Sequence, residues 1–234
     1  MDRVEAVVTI GVDVGQRADP SAVVVAEQVP NPHGARARYA VRHLERLPLG
    51  TPYREVADRL ALLYRNTTAL LGDRMAREDY QRGGYMQAAD PAELWQLRAR
   101  EAVWVLMDAT GCGLPVVDFL RERSGIATGH LTAVMFTAGE GANVHLGAQS
   151  GTVSKSYMVS RLQALLASGR ILLPDTPEAH SLTDELDDFE VSVTSQANVQ
   201  WGAKSGAHDD LVSALGLACL LDQSAHQCGS LRYI

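Results

Sequence analysis

The chain has 234 residues, of which 46% are hydrophobic and 21% charged, and its formal net charge is −7. This composition is typical of a globular protein with room for one large α/β domain, and no stretch approaches the ~20 consecutive apolar residues of a membrane span. The three cysteines form no Cys-x-x-Cys pair, which argues against a zinc site or a disulfide framework. Without a signal pattern at the N-terminus, we expect a cytoplasmic protein.

The first third of the chain is predicted to form three strands and a helix. Residues 4–14 are β-branched and almost continuously apolar, which is typical of a buried central strand. Residues 21–27 and 38–46 complete an antiparallel meander, and 51–72 form a helix that begins at Thr-Pro. One face of the third strand is expected to carry three residues, Tyr39, Val41 and His43.

Residues 73–100 are charged and only weakly periodic, so we expect a surface excursion with a short helix over 92–98. The Gly-rich, polar segment 137–152 is expected to be a flexible loop. The remaining predicted elements are a buried strand over 102–108, a helix over 114–123, a strand over 131–136, a helix over 154–169, a short strand over 170–174, a helix over 176–189, a strand pair over 191–201, a helix over 208–219 and a tail over 223–234.

Acidic residues lie at three places where buried elements are predicted to end or begin. Asp13 lies near the end of the first strand, Asp108 ends another buried strand, and Asp209 and Asp210 lie in the first turn of the last helix. Burying carboxylates is costly unless cations pair with them. Grouped carboxylates suit two-metal phosphodiester hydrolysis, in which one ion activates water and the other stabilises the leaving oxygen. Oxygen ligands favour Mg²⁺ or Mn²⁺ over zinc.

Each of these residues also has a purely structural explanation. An aspartate before a turn at a strand end can be a turn former, which applies to Asp13 and Asp108. Asp209 and Asp210 can be favourable charges at a helix N-terminus. Adjacent helical residues point about 100° apart, so only one of this pair is expected to face the metals squarely. The combination is more specific than any of its parts.

Three motifs follow one another along the chain: Asp-x-Gly from Asp13, Asp-Ala-Thr-Gly-x-Gly from Asp108, and His-Asp-Asp-Leu-Val-x-Ala-Leu from His208. Between the last two, Lys155 heads a predicted helix that is followed by Ser-Gly-Arg-Ile-Leu-Leu-Pro. In this order the motifs resemble the nuclease domain of phage terminase large subunits. The resemblance covers about residues 6–222.

The resemblance implies an α/β, ribonuclease-H-like fold, with a mixed central sheet flanked by helices on both faces, and a single nuclease domain over residues 1–234. Carried over by position, the ligands of two Mg²⁺ or Mn²⁺ ions would be Asp13, Asp108 and Asp210, with Asp209 second in line or sharing.

Four further residues near these motifs each have both a functional and a structural explanation. Asp19 could assist the metal site or could simply shape the loop before Pro20. His208 could orient a phosphate or water, although a cap or core contact explains it equally well. Lys155 and Lys204 are candidates for holding DNA phosphates, and a solvated lysine is the alternative for each.

By resemblance, the protein would be a metal-dependent endonuclease that cuts double-stranded DNA with little sequence specificity and leaves 5′-phosphate and 3′-hydroxyl ends. Its implied partners are the terminase ATPase domain, the small terminase subunit and the portal protein, in the cytoplasm of the host cell. Family members normally carry an ATPase motor in front of the nuclease. No P-loop is found here, because Lys155 is separated from Gly151 by three residues. We therefore expect a nuclease without the motor, which cuts without ATP.

Three alternatives stay open at this point. An ATP-binding protein of the sugar-kinase, actin and Hsp70 fold shares the core and an initial Asp-x-Gly strand, but its second phosphate loop places glycine sooner than Asp108-Ala-Thr-Gly does. A Holliday-junction resolvase of the same superfamily would use the same chemistry on branched DNA. A docking module would retain the aspartates without activity. The glycines of 137–152 also suggest a loop that controls access to the site.

Overall fold

The computed structural model describes residues 7–15, 19–34, 36–81, 91–111, 113–193, 199–203 and 209–222. In this part of the chain, eight strands form one mixed sheet and two more form a separate antiparallel pair. The strands are, in chain order, β1 (Val7–Asp13), β2 (Ala22–Val29), β3 (Arg38–Arg46), β4 (Val103–Asp108), β5 (Leu131–Thr137), β6 (Ala142–Asn143), β7 (Ser150–Ser154), β8 (Ile171–Leu172), β9 (Phe189–Val193) and β10 (Val199–Ala203).

Helices cover both faces of the eight-stranded sheet, as predicted. The described helices are α1 (Tyr53–Gln81), α2 (Pro91–Ala102), α3 (Gly113–Arg123), a 3₁₀ helix (Thr128–His130), α4 (Lys155–Ala167), α5 (Pro177–Asp188) and α6 (Asp210–Ala218). Helices α1, α2 and α3 bury their apolar side chains against one face. Helices α4, α5 and α6 pack on the other face, which we call the α6 face. None of the described helices combines the length and the apolar character needed to cross a membrane.

The order of strands across the sheet is β6-β7-β5-β4-β1-β2-β3-β8. Strands β1, β2 and β3 form the predicted antiparallel meander. Strands β4 and β5 run parallel to β1. Parallel neighbours end at the same edge of a sheet, so the C-terminal residues of β1 and β4 are brought side by side.

Strand β1 shows how the two faces are divided. Ile10 and Val12 belong to the core under α1, whereas Gly11 and Asp13 point to the α6 face because side chains alternate along a strand. A Cβ atom at Gly11 would lie 2.1 Å from the carbonyl oxygen of Ala214 in α6. Only glycine therefore allows α6 to approach β1 this closely.

A β-bulge in β3 decides which way its last residues point. The pairing with β2 shifts between Val41 and His43, so Arg42 is an extra residue in the strand. Such an extra residue turns over the side chains that follow it. Leu44 packs on the α6 face beside Val41, and the prediction that His43 would share that face is wrong. Arg46 also points to the α6 face, where it contacts acidic residues.

The prediction of a surface excursion over 73–100 is wrong wherever this segment is described. Helix α1 continues to Gln81, and the short helix expected over 92–98 is the longer α2. Trp95 of α2 is buried, and Arg74 of α1 forms an ion pair with a glutamate of β2. The ion pair of Arg74 with the sheet is a contact between distant elements, which apolar periodicity does not reveal. The rest of the segment, 82–90, lies outside the described residues.

The flexible loop predicted over 137–152 is also wrong in part. Strand β7 runs parallel to β5, and β6 pairs with β7 in the antiparallel sense. A Cβ atom at Gly151 would lie 2.8 Å from the carbonyl oxygen of Asn143, so this glycine permits the close approach of two strands. Strands as short as β6 and β7 depend on the strands beside them more than on their own composition. The predicted tail, 223–234, lies outside the described residues.

Candidate active site

Two aspartates lie side by side where β1 and β4 end. Val12 pairs with Met107 in the parallel register, so Asp13 and Asp108 follow on neighbouring strands. Neighbouring strands are about 4.8 Å apart, and both side chains point to the α6 face. The structure therefore brings together two carboxylates that are 95 positions apart in the sequence.

Helix α6 begins above the same edge of the sheet. Asp209 is its N-cap residue and Asp210 its first helical residue; the latter is buried, with 4% of its surface exposed. Burial raises the pKa of Asp13 well above its usual value, and the negative charges of Asp108, Asp210 and Asp209 raise it further. The predicted aspartates thus form one electrostatically coupled group, which we call the carboxylate cluster.

A hydrogen bond holds the second strand-end carboxylate in place. The backbone N–H of Thr110 donates to Asp108 Oδ1 at 2.7 Å. Burial raises the pKa of Asp108, while the Thr110 hydrogen bond and the positive charge of Lys155 work in the opposite direction. Asp108 therefore does form the turn after β4, as its structural explanation predicted. The same hydrogen bond orients its carboxylate within the cluster.

Lys155 contributes a positive charge to the cluster. Its Nζ lies 3.3 Å from Asp209 Oδ2 and 5.9 Å from the centre of the Phe136 ring. Its position at the start of α4 is set by Ser154, whose Oγ accepts a hydrogen bond from the N–H of Tyr157 and caps the helix. The side chain is 38% exposed, so the ammonium group is accessible at the edge of the cluster.

Of the other predicted site residues, only Asp19 is described, and it makes no charge contribution to the cluster. Lys204 and His208 lie outside the described residues. Asp19 is exposed, and it is not among the residues whose charges shift the pKa of Asp13.

The carboxylate cluster suits a hard divalent cation by its chemistry. It offers oxygen donors, which Mg²⁺ and Mn²⁺ prefer, and a cation would offset the burial and the repulsion that raise the pKa of Asp13. In the described part of the chain, no three acidic, histidine or cysteine side chains already converge on one point closely enough to coordinate an ion. The donor types therefore fit a metal, and coordination would require the side chains to draw closer together.

Comparison with solved structures identifies the fold. The large terminase nuclease from thermophilic phage G20c with bound magnesium superposes with a TM-score of 0.54 and 21% identity, over 93% of this chain and 82% of that chain. The large terminase nuclease domain of Thermus phage P74-26 gives 0.50 and 21%, over 92% and 80%. The chain has the ribonuclease-H-like fold of large terminase nucleases. No family model and no curated protein matches the sequence.

Two further residues of this terminase nuclease fold were not predicted. Glu185 of α5 is buried, and its Oε2 accepts hydrogen bonds from the backbone N–H groups of Leu211 (3.0 Å) and Val212 (3.3 Å) in α6. Its Oε1 contacts the guanidinium group of Arg46. The signal for Glu185 was its position three residues after the buried Leu182, which places an acidic residue on the apolar face of α5.

Arg46 reaches the cluster from β3. In the antiparallel meander, Asp13 lies opposite Ala22 and Ala22 opposite Arg46, so the arginine stands in the same cross-sheet row as Asp13. Its Nε lies 3.9 Å from Asp210 Oδ2. No local pattern indicates this arginine, because its direction depends on the bulge in β3.

Proposed function

We propose that the protein is a metal-dependent endonuclease that cleaves double-stranded DNA with little sequence specificity, as the nuclease part of a DNA-packaging terminase. The observation that supports this most is the carboxylate cluster, in which Asp13 and Asp108 end neighbouring parallel strands and Asp209 and Asp210 open α6 above the same edge of the sheet. Burial and the neighbouring negative charges both disfavour the ionised form of Asp13, and a bound cation would offset that cost. The terminase nuclease fold provides the setting for this chemistry.

We propose Asp13, Asp108 and Asp210 as the ligands of two divalent ions, Mg²⁺ or Mn²⁺. Asp209 would be the next candidate ligand or would share this role. The G20c terminase nuclease has been solved with magnesium and with cobalt, which supports the use of a divalent metal on this fold. When bound, the ions would supply the positive charge that activates the attacking water and stabilises the leaving oxygen.

The protein's own groups would position the substrate. The partly exposed side chain of Lys155 lies next to Asp209, and its ammonium group could hold a backbone phosphate oxygen beside the metal ligands. We propose the same role for Lys204. Contacts of this kind position a duplex without reading its sequence, which agrees with low specificity. In-line attack leaving 5′-phosphate and 3′-hydroxyl ends follows from the resemblance to terminases.

The proposed partners also follow from the terminase resemblance. They are double-stranded DNA, the terminase ATPase domain, the small terminase subunit and the portal protein, in the cytoplasm of the host cell. The net charge of −7 argues against tight DNA binding by this chain alone, because affinity for the DNA backbone comes mainly from basic residues. We infer that partners supply much of the grip on DNA while this chain supplies the cutting site.

A plasmid-cleavage assay tests the proposal. Supercoiled and linear plasmid DNA are incubated without ATP in Mg²⁺, Mn²⁺ or EDTA, with wild type and with Asp108→Asn. We expect metal-dependent cutting that falls by at least about 10³-fold in Asp108→Asn, because an amide cannot replace a charged ligand of the reacting ions. The matched control is Asp118→Asn, which alters a carboxylate that is 71% exposed on α3 and should leave the rate unchanged.

The same assay separates the alternatives. Cutting in EDTA, or equal rates for wild type and Asp108→Asn, would contradict the proposal. Cleavage of a four-way junction in strong preference to linear duplex would instead indicate a junction resolvase. A folded wild type that cuts nothing and binds ATP would indicate the nucleotide-binding fold.

A further inference from the structure

We propose that Glu185 is a positioning residue that caps helix α6 in place of Asp209, and so leaves the Asp209 carboxylate available to the carboxylate cluster. The cap itself can be tested in the metal-free protein. Its consequence for metal binding rests on the proposed function.

The N–H groups at the start of α6 need acceptors from outside the helix. The first N–H groups of a helix have no partner within the helix, and the side chain of the N-cap residue usually accepts a hydrogen bond from one of them. Aspartate is among the best residues for this purpose. Asp209 occupies the N-cap position of α6, yet its side chain makes no such hydrogen bond.

Glu185 takes over that role from a different helix. Its Oε2 accepts from the N–H groups of Leu211 and Val212, the second and third residues of α6, which are the donors that an N-cap side chain would use. Its negative charge also lies at the positive end of the helix dipole. Because these donors are occupied, Asp209 is left to contact Lys155 at 3.3 Å.

Arg46 offsets the energetic cost of burying the Glu185 carboxylate. Glu185 is only 7% exposed, and burying a carboxylate is costly unless it is paired. The guanidinium group of Arg46 contacts Glu185 and lies 3.9 Å from Asp210 Oδ2. One arginine therefore links the capping residue on α5 to a proposed metal ligand on α6, and it helps to set the distance between them.

A thermodynamic cycle in the metal-free protein tests the cap. Melting temperatures are measured for wild type, Glu185→Ala, Asp209→Ala and the double variant. In wild type, Asp209→Ala should not lower the melting temperature, because Asp209 caps nothing. In the Glu185→Ala background, where Asp209 can turn to the vacated N–H groups, the same substitution should lower it by about 2–4 °C. An equal effect of Asp209→Ala in both backgrounds would overturn the proposal.

A second, more conservative variant keeps the test available if Glu185→Ala does not fold. Glu185→Asp keeps the charge near Arg46 but shortens the side chain by one methylene group, which withdraws the carboxylate from the N–H groups of α6. In the Glu185→Asp background, Asp209→Ala should again lower the melting temperature more than it does in wild type. An equal effect in the two backgrounds would count against the proposal.

Metal affinity provides a readout that a purely structural role would not change. Mn²⁺ binding is measured by calorimetry without DNA, at a temperature where every variant is folded. Residues that hold metal ligands in place typically contribute about 10–100-fold in affinity, so Glu185→Ala should weaken binding at least about tenfold. Glu185→Gln keeps an oxygen that can accept from α6 and should retain most of the affinity. The control Asp184→Ala removes an exposed carboxylate from the same helix and should change nothing.

The outcomes separate this proposal from the proposed function. Wild-type affinity in Glu185→Ala, or an equal loss in Asp184→Ala, would overturn the positioning role while leaving a metal site in place. A wild type that binds no Mn²⁺ would contradict the proposed metal site, and the melting cycle would still decide whether Glu185 replaces Asp209 as the cap.

Discussion

The two faces of the central sheet are built from the same strands and differ in what they bury. The face under α1 has a continuous apolar core, and the acidic residue buried there, Glu27, is paired with Arg42 and Arg74. The α6 face has apolar clusters as well, but at one edge it buries Asp210 in a group of carboxylates with Asp13, Asp108 and Asp209. The face under α1 therefore serves the stability of the fold, whereas the α6 face also carries the proposed metal site at a cost in stability.

The alternation of side chains along each strand is what allows this division. In β1, Val12 packs under α1 while its neighbour Asp13 belongs to the carboxylate cluster. A substitution on one face can therefore be set against a substitution on the other, with stability and metal affinity measured for both.

The largest expected change in stability comes from the apolar face. Leu60 of α1 is 2% exposed, and Leu60→Ala should cost about 2–5 kcal/mol, because it removes buried methyl groups and leaves a cavity. The melting temperature should fall by about 5–15 °C, with Mn²⁺ affinity unchanged below the transition. Leu62→Ala, at a position 40% exposed on the same helix, is the control and should have little effect. A loss of metal affinity in Leu60→Ala would show that the two faces are not independent.

A smaller change of opposite sign is expected at the cluster. Asp13→Asn should raise the melting temperature of the metal-free protein by about 2–4 °C, because it removes a charge that burial and neighbouring aspartates disfavour. With excess Mn²⁺ the order should reverse, since the wild type gains more from binding. Differential scanning fluorimetry in EDTA and in Mn²⁺ measures both, with Asp58→Asn on exposed α1 surface as the control. A lower melting temperature in EDTA would contradict the destabilising role of this charge.

The smallest change is expected at the rim of the apolar face. Burial alone would raise the pKa of Glu45, but hydrogen bonds from His43 and Arg59 outweigh it and lower the pKa from 4.5 to about 2. A lowered carboxylate pKa stabilises the fold above pH 4.5, and this contribution is lost as the pH falls towards 2. Arg59→Ala should therefore cost about 0.5 kcal/mol at pH 7, and the cost should shrink as acid is added.

Urea unfolding at pH 7, 4.5 and 3 measures that dependence. The exposed Arg54 on the same helix offers a control, because Arg54→Ala removes the same charge from a position with no role in the pair. A difference between wild type and Arg59→Ala that stays constant over this range would mean that Glu45 and Arg59 are not coupled.

The part of the site that could be predicted from the sequence is the part with a local signal. Asp13 and Asp108 each end an apolar strand, and the pair Asp209 and Asp210 opens an apolar helix. A charge that interrupts or borders a buried element is visible within a few residues. The meander and the helices on both faces were predictable for the same reason, because hydrophobic periodicity reports local structure.

The part that could not be predicted depends on contacts between distant elements. Arg46 reaches the cluster only because Arg42 is an extra residue in β3, and Glu185 matters only because α5 packs beside the start of α6. The continuation of α1 past Gly72 and the short strands β6 and β7 likewise depend on partners elsewhere in the chain. Tertiary contacts of this kind override local propensity.

If the carboxylate cluster holds divalent metal, anomalous diffraction from crystals soaked in Mn²⁺ should locate the ions there. We expect manganese peaks at about 2.2 Å from carboxylate oxygens of Asp13, Asp108 and Asp210, and their loss in Asp108→Asn. Peaks elsewhere, or none at this edge of the sheet in a folded wild type, would contradict this expectation.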